Sequence, residues 1–61
     1  MDANKLKILR ATKGLKQREL AKKAKVDRSY ISQIETGKVN PSLSILERIA
    51  KALDCNLKDF F

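Results

Sequence analysis

The segment VDRSYISQIETGK, residues 26–38, carries side chains suited to hydrogen bonding. Drawn as a helix at about 100° per residue, its Ile31 and Ile34 lie within about 60° of each other on one side. Polar side chains occupy an arc of about 140° on another side, and they are Arg28, Ser29, Ser32, Gln33 and Thr36. This arc has one charge and no large apolar group, whereas a solvated helix face is more often dense in Lys and Glu. Such a face can lie close to a surface that presents both donors and acceptors.

Catalysis and metal binding have little support in the composition. The chain has no histidine and a single cysteine, Cys55. A nucleophile would therefore lack a histidine base, and a metal ion would lack a cluster of ligands. We expect no enzyme, no metal site, no cofactor and no small-molecule ligand. Cys55 is expected to be a small apolar side chain in the core, and redox sensing is the less favoured alternative.

The 61 residues carry a net charge of +7, which is unevenly distributed. Residues 1–40 contain eleven Lys or Arg and four Asp or Glu, whereas residues 41–61 contain three of each kind. The positive excess predicts a polyanionic partner, either nucleic acid or an acidic membrane surface. No apolar run could span a bilayer, and the N-terminus lacks a signal-like apolar stretch. We therefore expect a cytoplasmic protein.

Closely spaced turn signals divide the chain into short helices, and no segment alternates as a strand would. The predicted helices lie at about residues 4–13, 17–24 and 28–36, followed by one that carries Leu43 to Leu53 and a short one that carries Leu57, Phe60 and Phe61. Gly14 is expected to end the first helix in a left-handed conformation, and Gly37 closes the third. Asp27 and Ser42 are suitable N-caps. The sequence predicts an all-α fold of five short helices in one domain, residues 1–61.

The second and third helices are joined by a very short connection, Lys25 to Asp27. A connection of this length forces a sharp corner between two packed helices. Ala21 is small where the third helix would cross the second, and the two isoleucines supply the buried side of the third. This arrangement predicts a helix-turn-helix whose polar arc faces outwards. A DNA major groove offers matching groups, because Arg pairs with guanine, Gln with adenine and Ser with several bases; a merely solvated face is the alternative interpretation.

Three short motifs, taken together, indicate a protein family. They are Gln17-x-x-Leu20-Ala21, Ile31-x-x-Ile34-Glu35-x-Gly37 and Asn40-Pro41-Ser42. They resemble the phage repressor and Cro-type helix-turn-helix family, also called the xenobiotic-response-element type. The resemblance covers residues 5–61, and DRSYIS resembles in particular the controller proteins of restriction–modification systems. It implies a lambda-repressor-like domain in a DNA-binding transcriptional regulator, a repressor or controller that acts as a dimer on a pseudo-palindromic operator.

The resemblance also implies roles for individual residues. The positions that match base-reading residues are Arg28, Ser29, Ser32 and Gln33. The positions that match contacts to the DNA backbone are Gln17, Thr36, Lys38 and Asn40, and Lys16 could add a phosphate contact. Arg10 and Glu35 match a pair that joins the first helix to the third, so we expect a structural ion pair. Family members commonly dimerise through the C-terminal end, which makes Phe61 a candidate for a two-fold interface; a frayed end is the alternative.

The sequence departs from the family pattern in three places. Lys16 replaces the usual Ser, Thr or Asn N-cap and cannot accept the helix amides, which loses about 1 kcal/mol. Lys25 stands where the turn often has Gly, so a left-handed conformation there would carry strain of about 1 kcal/mol or more; a turn of different geometry is the alternative. Asp54 and Cys55 replace the common Gly-Val before the last helix, and Asp adopts left-handed geometry fairly well.

Two other classes of function remain open. One is a protein-interaction module, such as an antitoxin that mainly neutralises a partner, with DNA binding secondary. The other is a basic peptide that acts on anionic membranes, which would need a continuous amphipathic helix with Trp or Phe anchors. The chain has no Trp and is divided into short helices. Double-stranded DNA is therefore the expected partner, and a membrane is not.

Overall fold

The computed structural model describes residues 1–61 and contains four α-helices and a final 3-10 turn. In chain order these are α1 (Ala3–Thr12), α2 (Gln17–Ala24), α3 (Arg28–Glu35), α4 (Leu43–Ala52) and the 3-10 turn Leu57–Phe60. No strand is present, so the predicted all-α class is confirmed. None of the helices combines the length and the apolar character that crossing a bilayer requires.

The predicted fifth short helix is a 3-10 turn, so the chain has four α-helices rather than five helices of one kind. The bonds of this turn span three residues: the Asp59 N–H donates to the Asn56 carbonyl at 3.0 Å, and the Phe61 N–H donates to the Lys58 carbonyl at 3.2 Å. A segment of four residues offers too few bonds to build an α-helix. The third helix also ends one residue earlier than the expected position 36, since Thr36 is its C-cap.

The core receives apolar side chains from every element. Its buried members are Leu6, Leu20, Ala21, Ala24, Ile31, Ile34, Leu46, Ile49, Ala50, Leu53 and Phe60. Phe60 is completely buried, and the 3-10 turn that carries it packs against both α1 and α4. Ile8, in contrast, is 61% exposed on the outside of α1. Since most of this small core lies around α2, α3 and α4, packing fixes the helix-turn-helix directly.

The helix N-termini are capped unequally. Asp2 accepts the Asn4 N–H at 2.9 Å, and Ser42 accepts the Ile45 N–H at 3.3 Å. Asp27 occupies the N-cap position of α3, but its side chain accepts no helix amide, contrary to the capping role that its type predicts. At Lys16 the side chain makes no cap either, as its chemistry requires. The N-termini of α2 and α3 therefore keep amides that no side-chain cap satisfies.

The turn between α2 and α3 contains a strained residue. Lys25 has a φ of 58° and a ψ of 47°, which is the left-handed conformation, so the fold tolerates Lys where the turn often has Gly. The turn is closed by the Val26 N–H, which donates to the Ala21 carbonyl at 2.9 Å. A side chain on α4 also reaches it, because Arg48 Nε donates to the Ala24 carbonyl at 3.0 Å. A second donor of Arg48 bonds the Lys25 carbonyl.

Replacing Lys25 with Gly is expected to stabilise the fold. Gly adopts the left-handed conformation without the strain that a β-carbon causes, and the loss of chain entropy on folding offsets part of the gain. We predict a rise in the free energy of unfolding of about 0.5–1 kcal/mol, measured by urea denaturation.

Lys22→Gly serves as the matched control for this substitution, because Lys22 lies inside α2. It is expected to lower the free energy of unfolding by about 1 kcal/mol. A loss of stability in both variants would contradict strain at Lys25.

Candidate nucleic-acid interface

The outer strip of α3 presents the four side chains that are predicted to read bases. Arg28 and Ser29 are exposed in the first turn of the helix. One turn later Gln33 is exposed and Ser32 is half-buried. The isoleucines on the opposite side of α3 are completely buried. The helix is thus fixed by its apolar face, while its polar face remains free to contact a ligand.

The first turn of α2 offers a second set of hydrogen-bond donors. The backbone N–H groups of Gln17 and Arg18 have no acceptor within the protein. Unpaired amides at a helix N-terminus favour an anion. The N–H of exposed Lys16 is not available in the same way, because the Glu19 carboxylate accepts it at 2.8 Å.

The loop between α3 and α4 holds the other predicted backbone contacts. Lys38 and Asn40 are exposed, and their side chains make no hydrogen bond within the protein. The Lys38 N–H donates to the Gln33 carbonyl at 2.9 Å, which folds the loop back onto α3. The Thr36 hydroxyl donates to the Ser32 carbonyl at 3.0 Å. Thr36 would therefore have to rotate its hydroxyl away from α3 before it could donate to a phosphate.

A buried ion pair joins α1 to the end of α3. Arg10 Nε donates to Glu35 Oε2 at 2.7 Å, and Arg10 Nη2 donates to Glu35 Oε1 at 3.1 Å. The remaining terminal nitrogen of Arg10 donates to the Leu15 carbonyl at 2.8 Å. The side chains of Arg10 and Glu35 are only 14% and 2% exposed. This two-point contact between planar groups fixes the distance and the relative angle of the helices.

Gln17 adds a third partner to this pair, which the sequence analysis missed. Its Nε2 donates to Glu35 Oε1 at 3.1 Å. Because Glu35 is the last residue of α3, the bond brings the start of α2 to the end of α3. An amide nitrogen carries two hydrogens, so Gln17 can still donate outwards to a phosphate. The only sequence signal was its place at the start of α2, and nothing in its type showed that it would face Glu35.

The positive charges of this surface have no internal partners. Arg10 and Glu35 form the one ion pair of the structure. Lys16, Arg28 and Lys38 therefore remain uncompensated at the ends of α2 and α3. Glu35 does not offset them at the surface, since its carboxylate is buried and neutralised by Arg10. The arrangement can bind an anionic ligand through hydrogen bonds as well as through charge.

The C-terminal end exposes an apolar side chain. Phe61 is 60% exposed, although its backbone carbonyl accepts a bond from Lys5 Nζ. The bond attaches the chain end to α1 and leaves the ring in solvent. An exposed apolar ring is the feature that the predicted two-fold interface requires of Phe61.

Cys55 lies in the turn after α4 and is half-buried against the core. Burial raises the pKa of its thiol, and the carboxylates of Asp59 and Asp54 raise it further, against the opposing effect of Lys13. A raised pKa reduces the thiolate fraction at neutral pH and makes the thiol a poorer nucleophile. No three His, Cys, Asp or Glu side chains lie together as a metal site would require.

Comparison with known proteins gives consistent matches over nearly the whole chain. A family profile described as helix-turn-helix matches residues 6–60. An uncharacterised HTH-type transcriptional regulator of Methanocaldococcus jannaschii is 47% identical over 58 residues, covering 95% of this chain and 88% of that protein. The immunity repressor of Bacillus phage phi105 is 47% identical over 49 residues, covering 80% of this chain and 34% of the repressor.

A solved structure shows the same fold. The restriction–modification controller protein C.AhdI from Aeromonas hydrophila superposes with a TM-score of 0.94 at 39% identity. The match covers 97% of this chain and 89% of the controller. The motifs that carried the resemblance in the sequence therefore lie within a shared three-dimensional arrangement.

Glu35→Gln is expected to destabilise the chain. The substitution preserves shape but removes the negative charge, which leaves the guanidinium of Arg10 without a counter-charge in a mostly buried site. Breaking a buried pair in this way lowers the free energy of unfolding by about 3–5 kcal/mol. The whole stability of a domain this size is only about 3–9 kcal/mol, so thermal unfolding should detect the loss clearly.

Glu47→Gln is the matched control, because Glu47 is exposed on α4 and belongs to no ion pair. It should change the free energy of unfolding by less than about 0.5 kcal/mol. A melting temperature of Glu35→Gln within about a degree or two of that of Glu47→Gln would contradict the structural role of the pair.

Proposed function

Since this chain belongs to the helix-turn-helix family of DNA-binding transcriptional regulators, we propose that it reads a specific DNA sequence by placing α3 in the major groove. The observation that carries the proposal is the exposed polar strip of α3. The strip is held rigidly by a buried apolar face and lies between uncompensated positive charges. Binding needs no catalytic step, and residues 1–61 act as one DNA-binding domain.

The four polar side chains of this strip have distinct capacities for base contact. Arg28 presents two parallel donors, which fit the O6 and N7 acceptors of guanine. Gln33 can both donate to and accept from adenine, at N7 and N6. Ser29 and Ser32 are short enough to let the helix backbone approach the bases. Since Ser32 is half-buried, it contributes mainly by leaving room for its neighbours.

The flanking groups position the helix without reading sequence. The free amides at the start of α2 and the second hydrogen of the Gln17 amide point to one phosphate contact. Lys16, Lys38 and Asn40 supply the others, and Thr36 joins them if its hydroxyl rotates. Contacts of this kind carry no base information but fix the orientation on the duplex. With about four to eight phosphates neutralised per dimer, affinity should fall steeply with salt.

We further propose that the protein binds as a dimer through its C-terminal third. Residues 41–61 carry no net charge, so two copies can meet there without strong repulsion while their basic parts face DNA. Phe61 supplies an exposed apolar ring at this end. A two-fold dimer would place two α3 helices in successive major grooves, with half-sites about 34 Å apart.

Selection of bound duplexes from a randomised pool tests the proposal. We expect recovery of a two-fold symmetric motif whose half-sites are separated by about one helical turn. An enriched motif without symmetry would contradict the dimer alone. Binding without any enriched sequence would contradict sequence reading, and it would leave only the attraction of a basic protein for DNA.

Variants of α3 and of the loop should separate base contacts from backbone contacts. Arg28→Ala and Gln33→Ala are expected to reduce the discrimination between the selected operator and a random duplex by about 1–3 kcal/mol per contact. Lys38→Ala should weaken binding to both duplexes nearly equally, because a phosphate contact is independent of sequence. Titration at fixed ionic strength measures each affinity.

Equal losses on both duplexes for Arg28→Ala and Gln33→Ala would contradict their base contacts. A loss confined to the operator for Lys38→Ala would contradict its phosphate contact.

A further inference from the structure

Arg48 lies on α4, outside the predicted interface, yet it bonds the turn that leads into α3. Its Nε donates to the Ala24 carbonyl at 3.0 Å, and its Nη2 donates to the Lys25 carbonyl. These two carbonyls accept no other hydrogen bond from the protein. Arg48 thus supplies the only protein donors to the carbonyls of Ala24 and Lys25.

The turn is the one covalent connection that sets how α3 leaves α2. Only Lys25, Val26 and Asp27 separate the two helices. A rotation of the peptide plane after Lys25 would change the direction of α3 directly, because the connection is too short to absorb the rotation. Lys25 is also held in a left-handed conformation, from which a non-glycine residue tends to relax. The carbonyls that Arg48 holds lie on both sides of this strained residue.

The charges around the turn favour the bonds that Arg48 donates to these backbone carbonyls. An open depression of about 550 Å³ separates the ends of α2 and α4, and its lining contains no carboxylate. Its basic members are Lys23, Lys25, Arg48 and Lys51. With no acid in this lining to compete for the guanidinium, the backbone carbonyls are its acceptors. A cation at this place also complements the negative C-terminal end of the α2 dipole.

We propose that Arg48 is a positioning residue for DNA reading. By holding the carbonyls of Ala24 and Lys25, it fixes the left-handed turn and therefore the angle at which α3 presents Arg28 and Gln33. The inference rests on the proposed function, since it assigns Arg48 to the same act of sequence recognition. Arg48 itself contacts no base.

Arg48→Met removes the donors while keeping an unbranched stem. We expect its affinity for the selected operator to fall about fivefold to tenfold, in line with the loss of a charged donor at a helix C-terminus. Its affinity for a random duplex should change no more than in Lys51→Met. That control removes one positive charge from the same helix, and the Lys51 side chain makes no hydrogen bond. Equal operator-to-random ratios in the two variants would overturn the proposal.

Two further variants exclude a general loss of folding as the cause. Arg48→Lys keeps the charge and one donor group, so it should restore part of the operator preference. In a Lys25→Gly background the turn is unstrained, and Arg48→Met should there reduce the operator preference by a smaller factor. An identical factor in both backgrounds would overturn the mechanism, because a double-mutant cycle then shows no coupling between Arg48 and the turn.

Amide hydrogen exchange of the free protein gives a readout that does not involve DNA. Arg48→Met should accelerate exchange at Val26 and through the first turns of α3 more than Lys51→Met does. Unchanged exchange there would overturn the structural half of the inference. A parent protein that shows no sequence preference would instead overturn the proposed function, and with it the recognition role of Arg48. The two failures are therefore distinguishable.

Discussion

The structure depends on one buried carboxylate. Glu35 ends α3, and its two oxygens are bonded by Arg10 from α1 and by Gln17 from α2. Three helices therefore meet at a single charged group that is almost removed from water. Such a group is tolerated only while its partners stay in place, because an uncompensated charge in this environment is strongly unfavourable. The contact makes the relative placement of the helices specific, whereas apolar packing alone would allow small shifts.

This constraint bears directly on function, since it acts on the helix that is proposed to read DNA. One end of α3 is held by Glu35 and its two partners. The other end follows the left-handed turn at Lys25, whose carbonyl is bonded by Arg48. Between these two ends the isoleucines of α3 are buried in the core. A helix of eight residues is thus fixed at both ends and along one side, and its remaining side keeps its polar groups for a ligand.

The sequence predicted what local patterns determine. Apolar spacing placed α2 and α4, and the short connection required a sharp corner between α2 and α3. The left-handed conformation observed at Lys25 was suggested only by the family resemblance. The outward face of α3 followed from periodicity, because Ile31 and Ile34 had to be buried. The fold class and the family were likewise available from short motifs, and the comparisons confirm both.

The bonds of Gln17 to Glu35 and of Arg48 to Ala24 were not predictable in the same way. Each joins residues 18 or more positions apart, and their existence depends on how the helices pack. The short last element was predicted as a helix, whereas its length of four residues favours a 3-10 turn. Asp27 shows the same limit, since its type suits a cap but its side chain makes no such bond.

Chemical-shift mapping of the isotopically labelled protein, titrated with a selected duplex, tests the central claim most directly. The account predicts that the largest changes occur at Arg28, Ser29 and Gln33, at the amides of Gln17 and Arg18, and in the loop of Lys38 and Asn40. The exposed side of α1 around Ile8 should change little. The largest changes at Ile8 or on the outer side of α4, with α3 unaffected, would contradict the assignment of α3 as the reading helix.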